Sequence, residues 1–221
     1  MPHKPHFVGE EYAGISGAGI FGGLVQQIDW SVGEVAKAIE AQGLEEDTLV
    51  FFCSENGPIP EGSAGLMRGN KYSIFEGGMR TPAIFWAPGT VLAGEVSDEI
   101  LSAMDLFPTF AHYAGAKVPG DRTYDGFNIA ELLEGKNPKS LRNEILCYGA
   151  NTDLINGIRV GDWKYQIWGV HPRQRRENES PKLYNVVEYI GETNNVTEAH
   201  PEIAEKLRKR MDEFDAGVKA W

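Results

Sequence analysis

LVFFCSENGPIPEGSAGLMRGNKYSIFEGGMRTP, from Leu49 to Pro82, is the stretch on which the reading of this chain turns. It opens with an unbroken apolar run, Leu49-Val50-Phe51-Phe52-Cys53, short and rich in β-branched and aromatic residues, which predicts a strand buried on both faces. Ser54-Glu55-Asn56-Gly57 follows at once. Ligands of open α/β sheets sit at the carboxyl edge of the strands, so a carboxylate and a carboxamide fall where a ligand would be met. Two adjacent hard oxygen donors suit Ca²⁺ or Mg²⁺; an Asn at this place also suits a plain strand-to-loop turn. After a Gly-rich loop come Arg68, Lys71 and Phe75-Glu76-Gly77-Gly78-Met79-Arg80-Thr81-Pro82, which set cations and a double-glycine turn beside those donors. Glu76 and Arg80 flank the turn and are expected to pair with each other and shape the loop.

On the N-terminal side, Leu24, Ile28, Val32, Val35 and Ile39 recur at helical spacing, predicting an amphipathic helix over 22–43 with Gly43 as its C-cap. Gly33 in its middle costs up to about 1 kcal/mol relative to Ala, so close packing against a neighbour is expected there. On the other side, Ala83-Ile84-Phe85-Trp86 ends at Ala87-Pro88-Gly89 and reads as a second strand. Asp105 ahead of Leu106-Phe107-Pro108 predicts an N-capped helix running to about Gly115. Beyond roughly Leu141 the pattern changes to short β-like runs, Ile145–Tyr148, Gly157–Val160, Trp163–Trp168 and Lys182–Val187, spaced as in an antiparallel sheet of about four strands. A last helix is predicted after His200-Pro201, with Ile203, Leu207, Met211 and Phe214 on one face. The fold class is therefore α/β: a partial mixed or parallel sheet with covering helices over 1–140, then a small antiparallel sheet with a C-terminal helix over 141–221.

The chain has 221 residues, 42% hydrophobic and 24% charged, the composition of a globular protein with enough length for a core. A net charge of -11 argues against nucleic acid as a partner but leaves room for an anion, which local cations decide. No run reaches the roughly 18 apolar residues of a membrane span. Cys53 and Cys147 both lie in apolar runs and are expected to be buried, without a disulfide framework. Neither fixes a cellular compartment. Asn178-Glu179-Ser180 and Asn195-Val196-Thr197 fit the glycosylation pattern.

FCSENG, GNKYSIFEGGMRTP and PAIFWAPG together resemble the sulfatase family of the alkaline-phosphatase superfamily, whose members carry (T/C)SDNG, then K-x-x-x-[YF]-E-G-G-x-R-x-P, then a strand ending in W-x-P-G. The resemblance extends outward to Asp29 and Gly33, to Asp105 with Leu106, Pro108 and Thr109, to Asp125-Gly126, and to Lys182–Asn195. It implies hydrolysis of sulfate monoesters. Lys71 would bind the sulfate and the leaving oxygen, and His3, in the H-x-P segment His3-Lys4-Pro5, would hydrogen-bond the sulfate. Glu55 and Asn56 would supply half of the oxygens around a Ca²⁺; the family has Asp where Glu55 stands, one methylene shorter. The partner implied is a sulfated small molecule or glycan. The family's nucleophile is a formylglycine made from the Cys or Ser of C/S-x-P/A-x-R, and no Cys or Ser here starts such a pentapeptide. The chain thus resembles the C-terminal portion of a sulfatase and is expected not to turn over sulfate esters alone, and to self-associate through an exposed sheet edge. A phosphodiesterase or phosphonate hydrolase of the same superfamily, or a non-catalytic binding or scaffolding domain, are the alternatives.

Overall fold

The computed structural model describes residues 4–149, 154–167 and 180–219. Helix α1, Gly19–Ala41, begins three residues earlier than its apolar pattern predicts and ends before Gly43, whose φ of 63° gives the left-handed turn that glycine takes freely. The expected close packing is not at Gly33, where a Cβ would meet nothing within 4 Å. It falls at Gly23, where a Cβ would lie 2.6 Å from the Tyr12 carbonyl oxygen.

Strand β1, Val50–Cys53, pairs antiparallel with β2, Ala83–Trp86, in the register Val50↔Trp86 to Cys53↔Ala83. This is the antiparallel part of the expected mixed sheet; among the described residues neither strand has a further neighbour. Burial on both faces is correspondingly not met. Val50, Phe51 and Phe52 are half-buried and Cys53 is exposed, contrary to the expectation from its apolar run. Phe51 and Phe85 stack across the pair with ring centroids 4.6 Å apart, and Phe110 of α3, Leu106–Tyr113, meets Phe51 edge-on at 6.2 Å.

Asp105 does not cap α3 with its side chain. Instead Oδ2 accepts from the Ser102 N–H at 2.8 Å, Oδ1 accepts from the Phe127 N–H at 2.8 Å, and Arg142 grips both oxygens at 3.0 and 2.6 Å. The carboxylate, with no exposed surface, therefore ties three chain segments together. Between β1 and β2 lies the short helix α2, Glu76–Met79, and α4 spans Ala130–Leu133.

The four strands expected in the second half are β3, Glu144–Tyr148, β4, Ile155–Val160, β5, Trp163–Gln166, and β6, Lys182–Asn185, paired antiparallel in chain order. The strand expected through Trp168 reaches outside the described residues beyond Ile167. Helix α5, Pro201–Lys219, lays Ala204, Leu207 and Met211 against Ile155, Ile158, Tyr165 and Leu183, with Ile203 and Phe214 at the margin of that core. The apolar spacing read from the sequence is what fastens this helix: each such side chain contributes roughly 1.5–3 kcal/mol on burial.

Candidate active site

The polar loop after β1 is held by backbone hydrogen bonds. The Gly57 N–H donates to the Gly78 carbonyl at 2.9 Å, and the Lys71 N–H donates to the Pro58 carbonyl at 2.8 Å. These approaches require glycine. A Cβ on Gly57 would lie 1.9 Å from the Gly77 oxygen, and one on Gly78 2.3 Å from the Ser73 oxygen, so the paired glycines of EGGM let two backbones touch. The folding of this loop brings Lys71 back to the residues after β1.

The Lys71 Nζ sits 3.9 Å from Glu55 Oε1, with the lysine side chain about three-quarters buried and the glutamate open to solvent. Beside Glu55, the Asn56 Oδ1 is inaccessible to solvent and has no hydrogen-bond partner among the described residues. A buried carbonyl oxygen costs free energy unless something donates to it or binds it, so this atom suits a cation. The structure thus sets Lys71 beside Glu55, with Asn56 next to Glu55 in the chain. His3 lies outside the described residues. His6 turns its ring toward Phe21, centroids 5.7 Å apart, with Nε2 buried.

Arg68 is not available as a second anion clamp. Its guanidinium lies 4.0 Å from the centroid of the Phe75 ring, and Nη1 donates to the Glu192 carbonyl at 3.1 Å. Phe75 in turn packs with Tyr184 and Val186, which seats the Lys71 loop on the four-stranded sheet.

Glu76 does not pair with Arg80 as expected, and the partners are far away in sequence. Lys164 Nζ donates to Glu76 Oε1 at 2.9 Å and Arg159 Nη1 to Oε2 at 2.5 Å. The same ammonium lies 3.2 Å from Glu192 Oε1, while Glu192 Oε2 accepts from the Glu76 N–H at 2.6 Å. Arg80 is exposed, and its N–H donates to the Glu76 carbonyl at 2.8 Å while its charge acts on the carboxylate only as a minor influence. Lys164 and Glu192 have no exposed surface. Burial alone would raise the Glu76 carboxyl, but Lys164 and Arg159 outweigh it and hold it below the ordinary carboxylate range. Burial wins at Glu192, which Lys164 and one N–H offset only in part, so its pKa is raised. Cys147, in the same interior, is pushed up to about 11 by burial and stays a neutral thiol. A lysine between Trp163 and Tyr165 on a β-run looks like an outward-facing charge, so local pattern carries no sign of this network beyond an acid set in an apolar, double-glycine turn.

Among the described residues, no group of three or more His, Cys, Asp and Glu side chains is placed to hold a metal ion. Glu55 and Asn56 fit a hard cation as two of the six to eight oxygens that Ca²⁺ takes. No helix of the described residues is long and apolar enough to cross a membrane.

The architecture is an α/β layer that sets Lys71 against Glu55 at one strand end and is joined to an antiparallel sheet through a buried ionic network. Family comparison makes the assignment specific: the Sulfatase family matches residues 2–116, the C-terminal region of N-sulphoglucosamine sulphohydrolase matches 68–216, and the chain belongs to the sulfatase family. It is 34% identical to bovine arylsulfatase A over 96% of this chain and 46% of that protein. Mouse N-acetylgalactosamine-6-sulfatase is 37% identical over 75% of this chain and 32% of its own length. A solved structure from work on the metabolism of multiple glycosaminoglycans by Bacteroides thetaiotaomicron superposes with a TM-score of 0.84 at 28% identity, over 97% of this chain and 48% of that one. The chain spans less than half the length of these relatives.

Proposed function

We propose that this chain supplies the sulfate-facing lysine and part of the metal site of a sulfuric ester hydrolase. The observation that carries this is the Lys71 ammonium 3.9 Å from the carboxylate of Glu55, whose neighbour in sequence, Asn56, has a buried Oδ1 with no hydrogen-bond partner among the described residues. Lys71 binds the sulfuryl oxygens and the leaving oxygen, neutralising charge that grows as the S–O bond lengthens. His3 donates a hydrogen bond to the sulfate. Glu55 and Asn56 hold one side of a Ca²⁺, which when bound would draw negative charge off the sulfuryl group. Residues 1–140 form the C-terminal part of the catalytic α/β domain, and 141–221 form a subdomain that braces the Lys71 loop through Glu76. The substrate class is a sulfated small molecule or glycan.

The sequence holds no C/S-x-P/A-x-R from which a formylglycine nucleophile is made, so the 221-residue chain binds sulfate without hydrolysing its esters. Calorimetric titration with inorganic sulfate in the presence of Ca²⁺ tests the site. Binding that Lys71→Ala weakens by about tenfold or more, the loss of a charged hydrogen bond, supports it. Equal affinity in the wild type and the variant refutes it. Reproducible hydrolysis of 4-nitrophenyl sulfate by the pure chain would overturn the inactivity.

A further inference from the structure

Tyr72, directly after Lys71, has a backbone φ of 76°. A bulky side chain in the left-handed region is strained, and strain of this kind concentrates at ligand clamps, where the surroundings fix it. Here both flanks are fixed. The Lys71 N–H donates to the Pro58 carbonyl at 2.8 Å, and the Ser73 N–H and Oγ donate to the Asn70 carbonyl at 3.0 and 2.8 Å. Glycine would take this conformation freely, yet the position carries an aromatic ring. Two and three residues later, Ile74 and Phe75 are buried, whereas the Tyr72 ring is 57% exposed. The Lys71 Nζ lies 5.5 Å from its centroid, within cation–π reach, so the ring stands beside the ammonium.

We infer that Tyr72 is a specificity-determining platform for the alcohol half of the sulfate ester. The inference rests on the proposed placement of sulfate at Lys71. The alcohol of an ester anchored there starts one S–O–C linkage away, within reach of a ring at this distance. A flat aromatic face favours an alcohol that offers a flat face in return, the C–H face of a pyranose or an aryl ring, over an open-chain alcohol.

Calorimetry on the 221-residue chain, with Ca²⁺ and ionic strength held constant, compares methyl sulfate, N-acetylgalactosamine 6-sulfate, 4-nitrophenyl sulfate and inorganic sulfate. The ring-bearing esters are expected to bind about 3- to 10-fold tighter than methyl sulfate, the range of an aromatic contact. Which of the two shows the gain distinguishes a sugar from an aryl partner. Tyr72→Ala brings that ratio to near one and Tyr72→Phe keeps it. Tyr72→Asn, whose side chain tolerates a left-handed backbone, removes the ring without added strain and guards against a folding defect in the alanine variant. Inorganic sulfate that binds with no preference among the esters, or a preference that survives in Tyr72→Asn, overturns the platform and leaves the Lys71 site standing. Failure of inorganic sulfate to bind overturns both.

Discussion

Replacing Lys164 by Met keeps an unbranched stem as far as Cε, with sulfur in place of Cδ, and removes the ammonium, which makes it a sharp probe of the network behind the Lys71 loop. The amine has no exposed surface and lies 2.9 Å from Glu76 Oε1 and 3.2 Å from Glu192 Oε1. In the variant Glu76 keeps Arg159, whereas the Glu192 carboxylate keeps, among the described residues, the Glu76 N–H. Removing one partner of a buried ion pair costs about 3–5 kcal/mol, and two carboxylates are affected here, so the upper half of that range is expected at pH 8. In a domain of this size the melting temperature falls by about 8–20 °C. The pH dependence has a definite sign. Burial already lifts the Glu192 carboxyl above the ordinary glutamate range in the folded state, and losing Lys164 raises it further. A carboxyl that holds its proton more tightly when folded stabilises the fold below its unfolded pKa, and that stability is lost as pH rises through the folded one. The Lys164→Met deficit therefore shrinks between pH 8 and pH 5. Urea unfolding at both pH values, followed by circular dichroism and tryptophan fluorescence, measures it. Adding Glu192→Gln to Lys164→Met should recover a large part of the loss, because the uncompensated charge is gone. A Lys164→Met chain within about 1 kcal/mol of wild type at pH 8, or a deficit that grows on acidification, refutes the reasoning.

Asp105→Ala removes the partner of Arg142 and the acceptor for the Ser102 and Phe127 N–H groups in one step, and is expected to cost about 3–5 kcal/mol in the same urea assay. Asp105→Asn, which keeps an acceptor, should cost less. Trp30, Val35, Ile84 and Phe107 are each about half exposed on α1, β2 and α3, so light scattering should show mass rising with concentration. Single-chain mass over a wide concentration range would contradict this.

Periodicity and turn chemistry carried most of the architecture. The spacing of Ile203, Leu207, Met211 and Phe214 placed α5 and its buried face, and the short β-runs placed β3 to β6 within a residue or two at the ends described. The sulfatase motifs single out Glu55, Asn56 and Lys71, and the loop brings the Lys71 ammonium to 3.9 Å from Glu55. What escaped the sequence is long-range. Glu76 looked like the partner of Arg80 because four residues separate them, yet its charge is met by Arg159 and Lys164, which arrive through the pairing of β4 and β5. Asp105 had the letters of an N-cap, but its carboxylate turns back to Ser102 and across to Arg142. Cys53 belongs to an apolar run and is nonetheless exposed, because β1 has one neighbouring strand among the described residues. Burial of such a run depends on what covers it, which no local pattern encodes.

On the proposed function, a divalent cation held by Glu55 and Asn56 and an anion held by Lys71 would share one mouth. Two such sites are thermodynamically coupled, and the coupling is reciprocal. Calcium titration by calorimetry, with and without saturating inorganic sulfate at constant ionic strength, measures it directly. The predicted result is Ca²⁺ binding tightened about fivefold or more by sulfate, with the effect lost in Lys71→Ala and Ca²⁺ binding itself weakened in Asn56→Ala. Identical calcium affinity with and without sulfate would contradict the claim.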